Sequence, residues 1–79
     1  MKVRLKLFAT LREYLPEGVG AEGVELELPE GATVQDALDE LSVPLEKKAI
    51  ILRNGVHAKP ESELDPGDEL SVFPAIGGG

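Results

Sequence analysis

An Asn-Gly pair set between two aliphatic segments constrains this chain more than any other feature. Ala49-Ile50-Ile51-Leu52-Arg53 runs into Asn54-Gly55 and out through Val56-His57-Ala58. Asn-Gly accommodates the positive φ angles of a type I′ turn, the connection that suits two twisted antiparallel strands. A β-hairpin is therefore expected over residues 49–58. Three more strands follow from alternation. Val3, Leu5 and Leu7 alternate with Lys2, Arg4, Lys6 and Phe8, the period-two pattern of a strand over residues 2–8. Val24, Leu26 and Leu28 alternate with Glu25 and Glu27 before Pro29-Glu30-Gly31, and this strand is expected to pair with the first. After the Pro66-Gly67-Asp68 turn, Leu70 and Val72 take one face of a last strand and Ser71 and Phe73 the other.

Two helices fit between these strands. Leu11, Tyr14 and Leu15 have the spacing of a short helix that Pro16 and Gly18 terminate. Thr33 stands at an N-cap position with Asp36 three residues on as a variant capping box, and Val34, Ala37, Leu38 and Leu41 form one apolar stripe. That predicts the main helix over residues 34–42, with Pro44 preventing its continuation. The order strand, short helix, strand, helix, hairpin, strand is that of an α+β fold, one mixed sheet with the main helix packed across one face.

Composition narrows function by exclusion. A chain of 79 residues and 8.4 kDa holds one domain at most, and 42% hydrophobic residues with only 4% aromatics imply a small aliphatic core. The net charge of −7, from 8 basic and 15 acidic residues, has the wrong sign for a phosphate backbone or an anionic membrane, so neither nucleic acid nor membrane is an expected partner. Without cysteine the chain has no thiolate for metal binding or catalysis. Met1 to Leu7 alternates cations with aliphatics, unlike a secretory signal, and a cytoplasmic protein is expected.

The interior offers no recognisable active site. His57 is the single histidine, too little for a histidine metal site and without an evident acid-base partner. Asp36, Asp39 and Glu40 on the outer helix face, and Glu61, Glu63, Asp65, Asp68 and Glu69 in a turn-rich segment, read as solvated surface. No Gly-x-Ser-x-Gly elbow or phosphate-binding glycine loop occurs. The tail differs. Phe73-Pro74-Ala75-Ile76 forms a stiff apolar exit from the last strand, and Gly77-Gly78-Gly79 beyond it is a side-chain-free strip able to enter a narrow channel in another protein. Residues 1–76 are thus expected to form the domain and 77–79 a flexible tail. Alternation also puts Phe8 and Phe73 together on the face away from the helix, where aromatic residues serve as docking anchors.

Taken in order, Leu7-Phe8-Ala9-Thr10-Leu11-Arg12-Glu13, the Thr33-Val34 helix start, Arg53-Asn54-Gly55, Pro66-Gly67-Asp68-Glu69-Leu70, and Phe73-Pro74 to Gly78-Gly79 resemble the MoaD/ThiS family of ubiquitin-like β-grasp sulfur carriers. The length and the Phe8-Ala9-x-Leu11-Arg12-Glu13 segment are more similar to the MoaD branch, the small subunit of molybdopterin synthase. The tail departs from that branch, which often carries Pro-Pro-Val-Ala-Gly-Gly. The resemblance implies that the chain is no enzyme and binds no cofactor of its own. Instead, a MoeB/ThiF-like activating enzyme uses ATP to adenylate Gly79, a separate sulfur donor converts it to a thiocarboxylate, and a MoaE-like large subunit receives the sulfur for molybdenum cofactor biosynthesis. It also implies docking through Phe8, Phe73, His57 and Ile76, with Arg12 pairing with a carboxylate on the activating enzyme. His57 is expected on the hairpin strand beside the last strand. The same features would suit a carrier for thiamin, cysteine or RNA thiolation, a modifier of protein lysines, or a non-covalent interaction module.

Overall fold

The fold is that of a computed structural model describing residues 1–75; Ile76, Gly77, Gly78 and Gly79 lie outside the described residues. The elements in chain order are β1 (Lys2–Leu7), a 3-10 helix (Ala9–Tyr14), β2 (Val24–Glu27), α1 (Val34–Glu40), β3 (Ile50–Arg53), β4 (Val56–His57) and β5 (Glu69–Phe73). They build one five-stranded sheet in the order β2-β1-β5-β3-β4. The central pair β1 and β5 is parallel, and the remaining neighbours are antiparallel. With α1 laid across one face, this is the β-grasp arrangement expected from the sequence.

Alternation decides which face is buried. Val3, Leu5 and Leu7 of β1, Leu26 of β2, Ile51 of β3, and Leu70 and Val72 of β5 all turn to one side and meet Val34, Ala37 and Leu38 of α1 in a single core. Leu5, Leu38, Leu70, Val3, Val34 and Val72 are fully buried, and each such side chain contributes about 1.5–3 kcal/mol relative to exposure. The first helix is a 3-10 turn that drops Leu11 into this core. Thr33 Oγ1 accepts from the Asp36 amide at 3.3 Å while the Asp36 carboxylate accepts from the Thr33 amide at 2.9 Å, completing the reciprocal capping box. The amides of Val34 and Gln35, which an isolated helix would leave unpaired, donate to the Ser62 and Pro60 carbonyls at 3.0 and 2.9 Å. The helix stops at Glu40, shorter than its apolar stripe suggested, because Ser42 turns left-handed (φ 56°) and the Val43 amide bonds back to the Leu38 carbonyl at 3.0 Å.

The Asn-Gly turn has the backbone its sequence demands, with φ of 51° at Asn54 and 83° at Gly55. The structure adds a polar clasp. Asp68, read from the sequence as solvated, is 6% exposed. Its carboxylate accepts from Arg53 Nε at 2.6 Å, Asn54 Nδ2 at 2.9 Å and the Asp65 amide at 2.7 Å. Asn54 Oδ1 accepts from the Glu69 amide at 2.9 Å. These bonds join the β3–β4 turn to the start of β5 and satisfy a carboxylate that burial would otherwise penalise. Burial favours protonation of Asp68, but the Asp65 amide, Asn54 and Arg53 outweigh it and hold the carboxyl below its ordinary value. Its depressed folded value means that its stabilisation is complete above the unfolded value of about 3.9 and is lost as pH falls through the lower folded one.

Two outcomes follow. Asp68→Asn should cost about 1–3 kcal/mol at neutral pH and flatten the acid limb of a urea-unfolding series taken from pH 7 to pH 2; an unchanged limb would refute the clasp. Gly23 is buried with φ 75°, and a Cβ there would lie 2.3 Å from the Leu5 carbonyl oxygen. Gly23→Ala should therefore destabilise by roughly 2–4 kcal/mol in the same assay.

Candidate functional site

Neither phenylalanine belongs to the core. Phe8 follows β1 in extended backbone (φ −121°, ψ 159°), so it keeps the alternation and joins Lys6 and Arg4 on the open face. Phe73 is the last residue of β5. The parallel register that sets Leu7 beside Val72 brings the next residues together, and the rings stack with centroids 4.4 Å apart and planes 12° from parallel. Ile50 of β3 lies directly across from Phe73 and is 39% exposed. Leu52, two residues along β3, faces Ser71 on the same side. Phe8, Phe73, Ile50 and Leu52 thus make an apolar strip across β1, β5 and β3 on the side away from α1.

The strip continues into a slot of about 390 Å³ where the chain leaves the sheet, lined by Ala9, Thr10, Ile50, Phe73, Pro74 and Ala75. Thr10 is the sole polar side chain among these. The other half of the open face is charged and satisfies itself: Lys6 pairs with Glu69 at 3.3 Å, Lys2 with Glu25 at 4.0 Å, and Arg4 Nη1 donates to the Glu22 carbonyl at 3.0 Å. Hydrogen bonds from the Glu22 and Gly20 amides hold the Glu22 carboxyl below its ordinary value, helped more weakly by Arg4 and Arg12. Among the described residues no three His, Cys, Asp or Glu side chains gather as metal ligands would, and no helix is long and apolar enough to cross a membrane. What the strip and slot offer chemically is a surface for another protein's apolar side chains.

The sequence-derived candidates distribute unevenly over this surface. Phe8 and Phe73 meet. His57 is exposed on β4 opposite Leu52, and β3 separates it from β5, so the expectation that its strand neighbours the last one is corrected. The aliphatic run Ile50 to Leu52 takes the inner position because Ile51 can be buried there, leaving two-residue β4 as the edge. Arg12 is exposed on the 3-10 helix, and its charge is the weakest of the influences that lower the Glu22 carboxyl. Ile76, Gly77, Gly78 and Gly79 lie outside the described residues. Sequence reasoning missed Ile50 and Leu52 as surface residues. The signal was present, since a type I′ turn fixes hairpin register and alternation then sends Ile50 and Leu52 opposite to Ile51.

Comparison with known proteins agrees with this geometry. Residues 5–79 match the family model described as the ThiS family. No curated protein matches the chain. Among solved structures, SAMP1 from Haloferax volcanii, a small archaeal modifier protein, is 32% identical with a TM-score of 0.77, covering 100% of each chain. A Pyrococcus furiosus protein described as molybdopterin converting factor, subunit 1, is 29% identical with a TM-score of 0.69, covering 95% of this chain and 98% of that one.

The stack itself is testable. Phe8→Ala and Phe73→Ala should each leave the fold intact at a cost of about 1–2 kcal/mol, because both rings are only half-buried. A double-mutant cycle by urea unfolding should return a coupling of roughly 0.5–1.5 kcal/mol; additive effects would mean that the rings do not support each other.

Proposed function

The chain belongs to the ThiS family of small ubiquitin-like carriers, and from that premise we propose that it carries sulfur on Gly79 for molybdopterin synthesis. A carboxylate is a poor electrophile, so the first step is activation. A MoeB/ThiF-like enzyme joins the Gly79 carboxylate to the α-phosphate of ATP, releasing pyrophosphate. A persulfide sulfur from a separate donor then attacks the acyl carbon and AMP leaves. Reductive cleavage of the sulfur–sulfur bond by a thiol of the donor system frees the thiocarboxylate. Its sulfur is nucleophilic at neutral pH, and a MoaE-like subunit aligns it with the pterin precursor, where proximity supplies much of the rate.

One observation supports a carrier over a plain binding module: the stacked Phe8–Phe73 pair and its slot sit on the open face at the root of the segment that ends in Gly78-Gly79. A docking surface there lets a partner grip the rigid sheet while it acts on the tail. The branch assignment draws support from the Pyrococcus furiosus neighbour. A second reading, attachment of Gly79 to protein lysines, is favoured by the full-length similarity to SAMP1; it shares the adenylation step, but the Gly79 acyl group itself then passes to a lysine amine as an isopeptide bond and no sulfur is handed on.

Deleting Gly78 and Gly79 separates a carrier from a binding module. The truncated chain should unfold at the same urea concentration as the intact one yet show no ATP–pyrophosphate exchange with the host's activating enzyme. Biological activity that survives the deletion would refute the carrier role.

A further inference from the structure

Among the described residues three non-glycine residues have positive φ: Ala9 at 52°, Ser42 at 56° and Asn54 at 51°. Two have an evident reason. Asn tolerates this conformation and the type I′ turn requires it at position 54, while Ser42 ends α1. Ala9 has neither excuse. Its backbone is imposed from both sides: the Phe8 amide donates to the Val72 carbonyl at 3.1 Å, extending the sheet one residue past β1, and the Leu11 amide donates to the Phe8 carbonyl at 3.1 Å as Leu11 enters the core. Between a side chain on the open face and another in the core, the chain must reverse within three residues, and glycine would do so without strain. The strained alanine instead keeps a methyl group, and Ala9 forms part of the slot beside Phe73, Pro74 and Ala75.

We propose that the Ala9 methyl is a partner-contact group, retained against local strain because it completes the slot that receives an apolar side chain from the enzyme that adenylates Gly79. The occupant follows from reach. Ala75 lines the slot, and the four residues from Ile76 to Gly79 span at most about 14 Å when extended. An enzyme holding the Gly79 carboxylate therefore comes within about 14 Å of the slot, and the slot's almost wholly apolar wall selects an aliphatic or aromatic side chain rather than a charged one. This deepens the carrier reading and rests on it.

Ala9→Gly gives effects of opposite sign on stability and on recognition. Relief of strain should raise the urea midpoint. Loss of the methyl should raise KM for the carrier in ATP–pyrophosphate exchange about fourfold, the effect of one buried methyl group, with kcat unchanged. An unchanged or lower midpoint would overturn the strain on which the proposal depends. A higher midpoint with unchanged KM would overturn the contact role while leaving the carrier reading intact. No exchange by the unaltered protein would overturn that reading, and the proposal with it.

Discussion

Parallel strands cannot be closed by a tight turn, so pairing β1 with β5 obliges everything between them to form a crossover. In this chain that crossover contains β2, which folds back on β1, then α1, which covers the face that β1 and β5 leave apolar, and finally the β3–β4 hairpin on the far side of β5. Register in the central pair fixes the site. With Lys6 beside Ser71 and Leu7 beside Val72, Phe8 and Phe73 arrive together on the open face. A slip of one residue would send Phe73 towards the core and Val72 to solvent, so the aliphatic core and the aromatic surface enforce the same alignment.

This arrangement divides the work between the two faces. Stability comes from aliphatic side chains between sheet and helix, reinforced by the Asp68 clasp that holds the hairpin to β5. The open face is the surface the proposed docking would use: its charged half is internally paired and its apolar half is not covered by any element of the described chain. A small domain that packed its only phenylalanines inside would gain core volume and lose this surface. Their placement outside fits a protein whose reactive group works in the sites of other proteins.

Much of this was legible in the residues because alternation and turn chemistry are local. The strands, the capping box at Thr33, the Asn54-Gly55 turn and the shared face of Phe8 and Phe73 all follow from spacing. Three features depended on tertiary placement and were not legible. Asp68 sits in an acidic, turn-rich segment that reads as solvated, and its burial follows only once Arg53 and Asn54 are folded onto it. His57 lies one strand further from β5 than its spacing suggests, because spacing reveals that a hairpin forms but not which strand takes the inside. The left-handed Ala9 has no sequence signal, since alanine is not a residue that favours that conformation. The role of Gly79 rests on family resemblance together with the surface at the root of the tail.

The most direct test of sulfur carriage is the intact mass of the protein purified from its native host, with the C-terminal peptide compared for an oxygen-to-sulfur exchange. A thiocarboxylate confined to the peptide ending in Gly79 is the result predicted. A plain carboxylate in every preparation, persisting after incubation with ATP, the host's activating enzyme and a sulfur donor, would contradict it.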